Sequence, residues 1–265
     1  PPKLANQVAG IWTPRLKFTY TISTLAMRWR TSISAHKDGE LYIRGLSLEE
    51  LIGRHTFTEV IFLLLKGQLP SEKEAKMLDA ILVASAEHGI EAPSTFVART
   101  AASTGNPINA ALAAGILTVG EWHGGAVEKA AQMLQSEKSA EEIVADAIKN
   151  KEKLAGYGHK VYKDEDPRTA AIFAKAKELG LSQTNIQKAV AIGQEFEKQS
   201  GKKLPINIDG AIAAIISELG LDWRLGKAIF VLGRLPGMIA HAHEEIVNEK
   251  PYRRLEEGDV EYTGP

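Results

Sequence analysis

The chain has 265 residues, 44% of them hydrophobic and 25% charged, with 32 basic residues against 33 acidic ones and a formal net charge of −1. Such proportions allow a sizeable buried core, and the balanced charge gives no chain-wide basic surface for nucleic acid or an anionic membrane. With no cysteine, disulfides, thiolate metal sites and a cysteine nucleophile are excluded, which fits a cytoplasmic location. No apolar run approaches the roughly 18–20 residues of a membrane helix, and residues 1–10 lack the basic start and apolar centre of a signal peptide.

Strand signals come first and are few. The β-capable runs at residues 31–34 (TSIS) and 41–44 (LYIR) flank Asp38 and Gly39, a strong hairpin signal. Helix signals then dominate. Ser47 with Glu50, Thr56 with Glu59, Ser71 with Glu74 and Ser139 with Glu142 fit capping boxes, each ahead of apolar residues three and four apart. Val60, Phe62, Leu63, Leu64 and Leu65 end at Gly67, with Pro70 just beyond. Met77, Leu78, Ile81, Leu82 and Ala84 run to about Gly89. The Lys- and Glu-rich residues 136–153 read as a solvated helix face. Pro167 behind Asp166 opens a helix through Ala170, Ile172 and Phe173 to Gly180. Asp222 caps another, carrying Ile229, Val231, Leu232, Ile239 and Ile246. The expectation is an all-α protein with one small N-terminal β-hairpin.

Several motifs fail. Gly220 to Gly226 and Lys227 has the wrong gap for a phosphate loop and no hydroxyl residue after the lysine; Gly156 and Gly158 are too few for a dinucleotide fingerprint. His241 and His243 are two apart on a helix and face different sides. Three clusters interrupt the helical pattern instead. In the first, His123 precedes Gly124 and Gly125 at the start of a helix through Val127 and Met133, where backbone can approach a ligand; a helix–helix turn with an incidental histidine is equally open. In the second, His159 follows Gly158 and leads through a charged loop to Arg168 in a first helical turn. A basic side chain there opposes the helix dipole but can grip a carboxylate with its planar fork; a surface arginine is the bland alternative. The third is residues 205–210 (PINIDG), ahead of a small apolar helix, where Asp209 is either a functional carboxylate or simply an N-cap. Two histidines, a carboxylate and an arginine at loop–helix junctions suffice for acid/base chemistry on an acidic substrate, without naming the reaction.

At these residues the chain resembles the citrate synthase superfamily. The likeness is carried by residues 31–34 and 41–45, residues 61–70 (IFLLLKGQLP), Glu87 and His88 with residues 94–99 (STFVAR), and residues 123–126 (HGGA). It continues through Gly158 and His159, residues 166–168 (DPR), residues 207–209, Arg234 and the tail EYTGP at 261–265. The resemblance implies a mainly helical two-domain fold, with a large domain of residues 1–123 and 215–265 and a small one of residues 124–214, built as a homodimer or higher homo-oligomer. It implies that Asp209 handles the acetyl-CoA methyl proton, that His123 binds the thioester oxygen of the enol, and that His159 binds the carbonyl that becomes the citryl hydroxyl. His88, Arg168 and Arg234 are implied to bind substrate carboxylates. Lys163 stands where the family often places a basic residue for CoA phosphates, and Ala155, Gly156, Tyr157 and Gly158 resemble the stretch lining the adenine.

Two departures bear on function. The segment between Pro70 and Glu87 is short, and residues 250–254 (KPYRR) stand where the family has Arg-Pro-Arg. The NIDGA of residues 207–211 and the FVLGR of residues 230–234 more closely resemble the citryl-CoA lyase module at the end of ATP-citrate lyase, and no ATP-grasp or ligase part is visible. The implied activity is cleavage of citryl-CoA to acetyl-CoA and oxaloacetate, with citrate activated by a separate citryl-CoA synthetase, no prosthetic group, and a coenzyme A thioester as substrate. The alternative is a short citrate or methylcitrate synthase working on acetyl-CoA or propionyl-CoA. A non-catalytic CoA- or citrate-binding regulator is disfavoured by the presence of His123, His159 and Asp209 together.

Overall fold

The computed structural model describes residues 29–265, so the reading of residues 1–10 lies outside the described part. Residues 33–265 form the unit that carries the elements below. Strands β1 (Ser34–Lys37), β2 (Glu40–Ile43) and β3 (Leu46–Ser47) make an antiparallel sheet in that order. Asp38 and Gly39 have φ of 54° and 86°, the left-handed pair a two-residue hairpin turn requires. Such a turn pairs the residues directly beside it, here Lys37 with Glu40. The first strand is therefore Ser34–Lys37 rather than residues 31–34: turn geometry overrides the weaker β propensity of Ala35, His36 and Lys37. A second left-handed pair, Arg44 and Gly45, adds β3, which the sequence reading missed.

Eleven α-helices follow among the described residues: α1 (Leu48–Arg54), α2 (Phe57–Lys66), α3 (Glu72–Ser85), α4 (Pro93–Ser103), α5 (Ile108–Leu117) and α6 (Ala126–Leu134), then α7 (Ala140–Asn150), α8 (Pro167–Glu178), α9 (Thr184–Ser200), α10 (Ile208–Glu218) and α11 (Gly226–Asn248). Thr56 and Ser139 form full capping boxes with Glu59 and Glu142. The Glu74 carboxylate accepts from the Ser71 backbone N–H at 2.8 Å. Ser47 caps α1 at the Glu50 N–H. Asp166 caps α8 and Pro167 is its first residue. Asp222 caps a short 3-10 turn, Trp223–Leu225, that runs directly into α11. Helix α7 presents its charges outward but buries Ile143, Val144 and Ala147, so the Lys- and Glu-rich stretch also has an inner face.

Helix α10 is the hub. Every residue from Gly210 to Ser217 is buried, as expected of a helix apolar all round. Ile212, Ile215 and Ile216 are at most 1% exposed and join Phe62, Met77, Leu78, Ile81, Val127, Ile192 and Ile229 in one core. Burying each such side chain contributes about 1.5–3 kcal/mol. Helix α10 consequently packs against α3, α6, α8 and α9, and its half-buried N-terminal turn carries Asp209. No helix of the described residues is long and apolar enough to cross a membrane.

Candidate active site

The start of α10 settles the alternative left open at residues 207–210. The cap is Asn207, not Asp209: its Oδ1 accepts from the Asp209 and Gly210 N–H groups at 3.0 and 3.2 Å. Asp209 sits in the first turn with its carboxylate left outside the cap. Burial raises that carboxyl above the ordinary range, against the opposing pull of Arg168 and Arg234. It therefore keeps a proton to higher pH than a surface aspartate.

The loop of residues 155–158 packs directly behind it. Gly156 has φ of 84°, and a Cβ there would lie 2.7 Å from the Gly210 Cα; only glycine lets these backbones meet. Gly156 O accepts from Asn207 N at 3.0 Å, Gly158 N donates to Pro205 O at 2.7 Å, and Asn207 Nδ2 donates to Gly158 O at 2.9 Å. Asn207 thus ties the Asp209 turn to the segment leading into His159. Tyr157 turns inward, its hydroxyl donating to Ala189 O at 2.6 Å, and burial pushes its pKa up. What this stretch leaves for a ligand is backbone. Lys163 folds back onto the carbonyls of His159 and Lys160.

His159 is held by its own loop. The backbone N–H groups of Val161 and Tyr162 both donate to its Nδ1 at 3.1 Å, and the Tyr162 ring stacks on it with centroids 4.7 Å apart. Nδ1 accepts both bonds, so in this tautomer Nε2 carries the ring proton. Nε2 lies 3.3 Å from Arg168 Nη2, and Arg168 Nη1 lies 3.4 Å from His88 Nδ1. Asp166 grips the other edge of the guanidinium: Nε donates to Oδ1 at 2.9 Å and Nη2 to Oδ2 at 2.7 Å. Two sequence readings are refined by this. The fork engages Asp166 rather than standing wholly open, and leaves its Nη1–Nη2 end toward the two histidines. The unfavourable position of Arg168 in the helix dipole is offset by the Asp166 cap. Burial works against the Asp166 charge, yet the Arg168 hydrogen bonds hold its carboxyl below the usual range.

His88 lies beyond α3 and His123 just before α6. Burial, then the nearby Arg234, lowers the pKa of both; Arg168 adds to the effect at His88 and His88 at His123. Both rings are therefore neutral at neutral pH. His123 Nε2 meets Ser94 Oγ at 2.9 Å, leaving Nδ1 as its nitrogen for a substrate oxygen. Phe230 packs edge-on to the His123 ring at 5.7 Å and lies under the Arg234 guanidinium at 5.1 Å.

Arg234 is 3% exposed, and its Nε and Nη1 are buried with no hydrogen-bond partner among the described residues. A buried guanidinium with two unmatched donors is costly, and a carboxylate is the group that matches it. The electrostatic couplings join these residues into one cluster: Asp209 feels Arg168, Arg234 and His159, and His123 feels Arg234 and His88. The sequence reading passed over Ser94 and Phe230, which support His123, and Asn207 as the cap. Asn207 carried a signal, being a favoured cap residue; Ser94 carried only its place behind Pro93. In the tail, Arg253 is committed to its own chain, 2.7 Å from Glu245.

The family model for the citrate synthase C-terminal domain matches residues 21–76 and 70–255. Citrate synthase 2 of Bacillus subtilis is 33% identical over 227 residues, covering 84% of this chain and 60% of that relative. Among solved structures, citryl-CoA lyase from Hydrogenobacter thermophilus is 47% identical with a TM-score of 0.86, covering 89% of this chain and 95% of that one. ATP citrate lyase from Methanothrix soehngenii shares the fold at 24% identity and a TM-score of 0.77, over 98% of this chain and 47% of its own. The chain belongs to the citrate synthase family. It spans little more than half the length of the curated relatives it matches.

Proposed function

We propose that the protein is a citryl-CoA lyase, cleaving citryl-CoA to acetyl-CoA and oxaloacetate. The observation that carries this reading is the cluster itself: a buried Arg234 with unmatched donors and the free end of Arg168 beside a carboxyl held toward its protonated form. In the cleaving direction the tertiary hydroxyl of citryl-CoA gives its proton to His159 Nε2 once the Nδ1 contacts to Val161 and Tyr162 open and the ring carries its own proton on Nδ1. The C–C bond breaks, its electron pair passing to the thioester as an enolate while the former hydroxyl carbon becomes the oxaloacetate carbonyl. His123, neutral and braced by Ser94, hydrogen-bonds the enolate oxygen. Asp209, whose carboxyl burial shifts toward its protonated form, delivers a proton to the enolate carbon and is reprotonated at the expense of His159. Acid/base roles of this kind are typically worth about 10²–10⁴-fold each, and a preorganised hydrogen bond to a developing oxyanion about 2.7–4 kcal/mol.

His88, Arg168 and Arg234 take the substrate carboxylates on this reading. The backbone of Ala155, Gly156, Tyr157 and Gly158 with the Lys163 ammonium receives the coenzyme, and residues 124–214 act as the smaller domain over the cleft. A homodimer, a cytoplasmic setting and a separate citryl-CoA synthetase belong to the same proposal. The likeness to the Hydrogenobacter lyase over nearly all of that chain favours cleavage. The likeness to Bacillus citrate synthase 2 favours a second reading, condensation by the same groups. Assaying the purified protein with citryl-CoA, and separately with acetyl-CoA plus oxaloacetate, tests both; no turnover in either would remove an active lyase or synthase.

A further inference from the structure

The end of α3 and one stripe of α11 meet in an arrangement that the reaction scheme above leaves unused. Glu87 Oε1 accepts from the backbone N–H groups of His88 and Gly89, at 2.9 and 2.5 Å. These bonds close the turn that presents His88; Gly89, at φ 87°, completes it. The same oxygen lies 3.3 Å from His241 Nε2 on α11. Between Arg234 and His241, two turns apart on that helix, sits Gly237. A Cβ at Gly237 would fall 2.3 Å from Ala86 O and 2.4 Å from Glu87 Oε2. The α11 backbone therefore presses directly on the carboxylate that shapes the His88 turn. His241 is fixed from its far side, with Arg99 Nη1 3.4 Å from its Nδ1 and Glu244 3.9 Å away.

We infer that Glu87 is a positioning residue for the substrate acid, locking His88 against α11 so that His88 and Arg234 reach the same carboxylate-bearing ligand in fixed register. The physical reason is shared anchorage. Arg234 is rigid because it is buried on α11. His88 stands on an exposed turn whose two backbone donors have Glu87 as their acceptor. Gly237 and His241 bind that acceptor to the helix carrying Arg234. Residues in the wrong register by a fraction of an ångström lose much of a bidentate contact.

The inference rests on the assignment of His88 and Arg234 to carboxylate binding, and one series separates the two. Oxaloacetate and coenzyme A are titrated by calorimetry into the parent protein and the variants Glu87→Ala, Glu87→Gln, Gly237→Ala and His88→Ala, each checked for parent-like thermal unfolding. Glu87→Ala is expected to weaken oxaloacetate about tenfold, the loss of roughly one charged hydrogen bond, with coenzyme A changed less than twofold. Glu87→Gln keeps an acceptor oxygen for both N–H groups and should stay within about threefold of the parent. Gly237→Ala, if folded, should follow Glu87→Ala. Parent-like oxaloacetate binding by Glu87→Ala beside a weakened His88→Ala overturns the positioning role alone. Equal losses for both ligands overturn it too, as a general structural effect. An unaffected His88→Ala overturns the carboxylate assignment and the inference with it.

Discussion

At the scale of single residues, Asp209 and Arg168 are opposite charges that feel one another in the same cluster. Burial raises the Asp209 carboxyl, so the folded protein binds that proton more tightly than the unfolded chain. Such a group costs stability as pH rises from the ordinary carboxylate range through its folded value, because the native state retains the extra proton. Asp209→Asn removes the titration. The variant should lose turnover in both directions and still bind citrate or coenzyme A. It should also match or exceed the parent's stability near pH ~7, the difference vanishing below about pH 3 where both states of the parent are protonated. Denaturant melts at several pH values, with turnover measured on the same samples, check both halves. Arg168→Lys keeps the charge but loses the planar fork, and with it one bond to Asp166 and the end facing His88 and His159. We expect oxaloacetate and citrate to weaken by about 1.5–3 kcal/mol, with coenzyme A little affected; equal weakening would contradict the carboxylate role. The site residues were legible in the sequence mostly as histidines, an arginine and an aspartate at helix starts. Asp166 was visible as a cap, but its grip on Arg168 was not, because that depends on a side-chain rotamer and not on spacing. Ser94 was legible only as part of a motif, since its partner His123 lies far along the chain.

At the scale of elements, local signals worked where the physics is local. Caps at Thr56, Ser139 and Asp166, and the stop at Gly67, are decided within one helical turn and stand where expected, whereas Asp222 caps the 3-10 turn ahead of α11 and not α11 itself. The hairpin turn is legible in Asp38 and Gly39, but the first strand lies later than β propensity alone indicates, because the turn imposes the pairing of Lys37 with Glu40. Helix α10 shows the limit of such reading: its apolar run identified a helix, whereas its choice of cap, Asn207 over Asp209, decided whether Asp209 was free for chemistry. Asn207 serves two elements, capping α10 and holding Gly158 O. Asn207→Ala should therefore destabilise the fold by about 1–2 kcal/mol, the usual cost of a lost cap, and lower turnover more than that loss explains, because the Asp209 turn and the His159 loop come apart. Asn207→Ser restores a cap acceptor but not the Gly158 bond. It should recover most stability in a denaturant melt and only part of the activity, which distinguishes the two functions of the side chain.

At the scale of the whole molecule, α10 brings together what the sequence separates. His88, His123, His159 and Asp209 come from four loop–helix junctions and Arg234 from the interior of α11, and their meeting follows from burying one almost wholly apolar helix among its neighbours. On the proposed scheme this assembly holds groups for making or breaking a C–C bond beside a thioester. A synthase has a second task, hydrolysis of citryl-CoA, which needs a water activated after condensation. No group in the cluster is left over for it on the proposed scheme: His159 exchanges the hydroxyl proton, His123 holds the enolate oxygen, Asp209 serves the carbon, and the arginines hold carboxylates. We therefore expect supplied citryl-CoA to partition mainly to acetyl-CoA and oxaloacetate, with slow formation of citrate and free coenzyme A. The partition ratio should be insensitive to Glu87→Gln, which leaves all the reacting groups in place. Rapid-quench chromatography of the products measures the ratio directly. If most citryl-CoA emerges as citrate and coenzyme A, a group in this cluster also activates water, and the protein works as a short synthase of the same family.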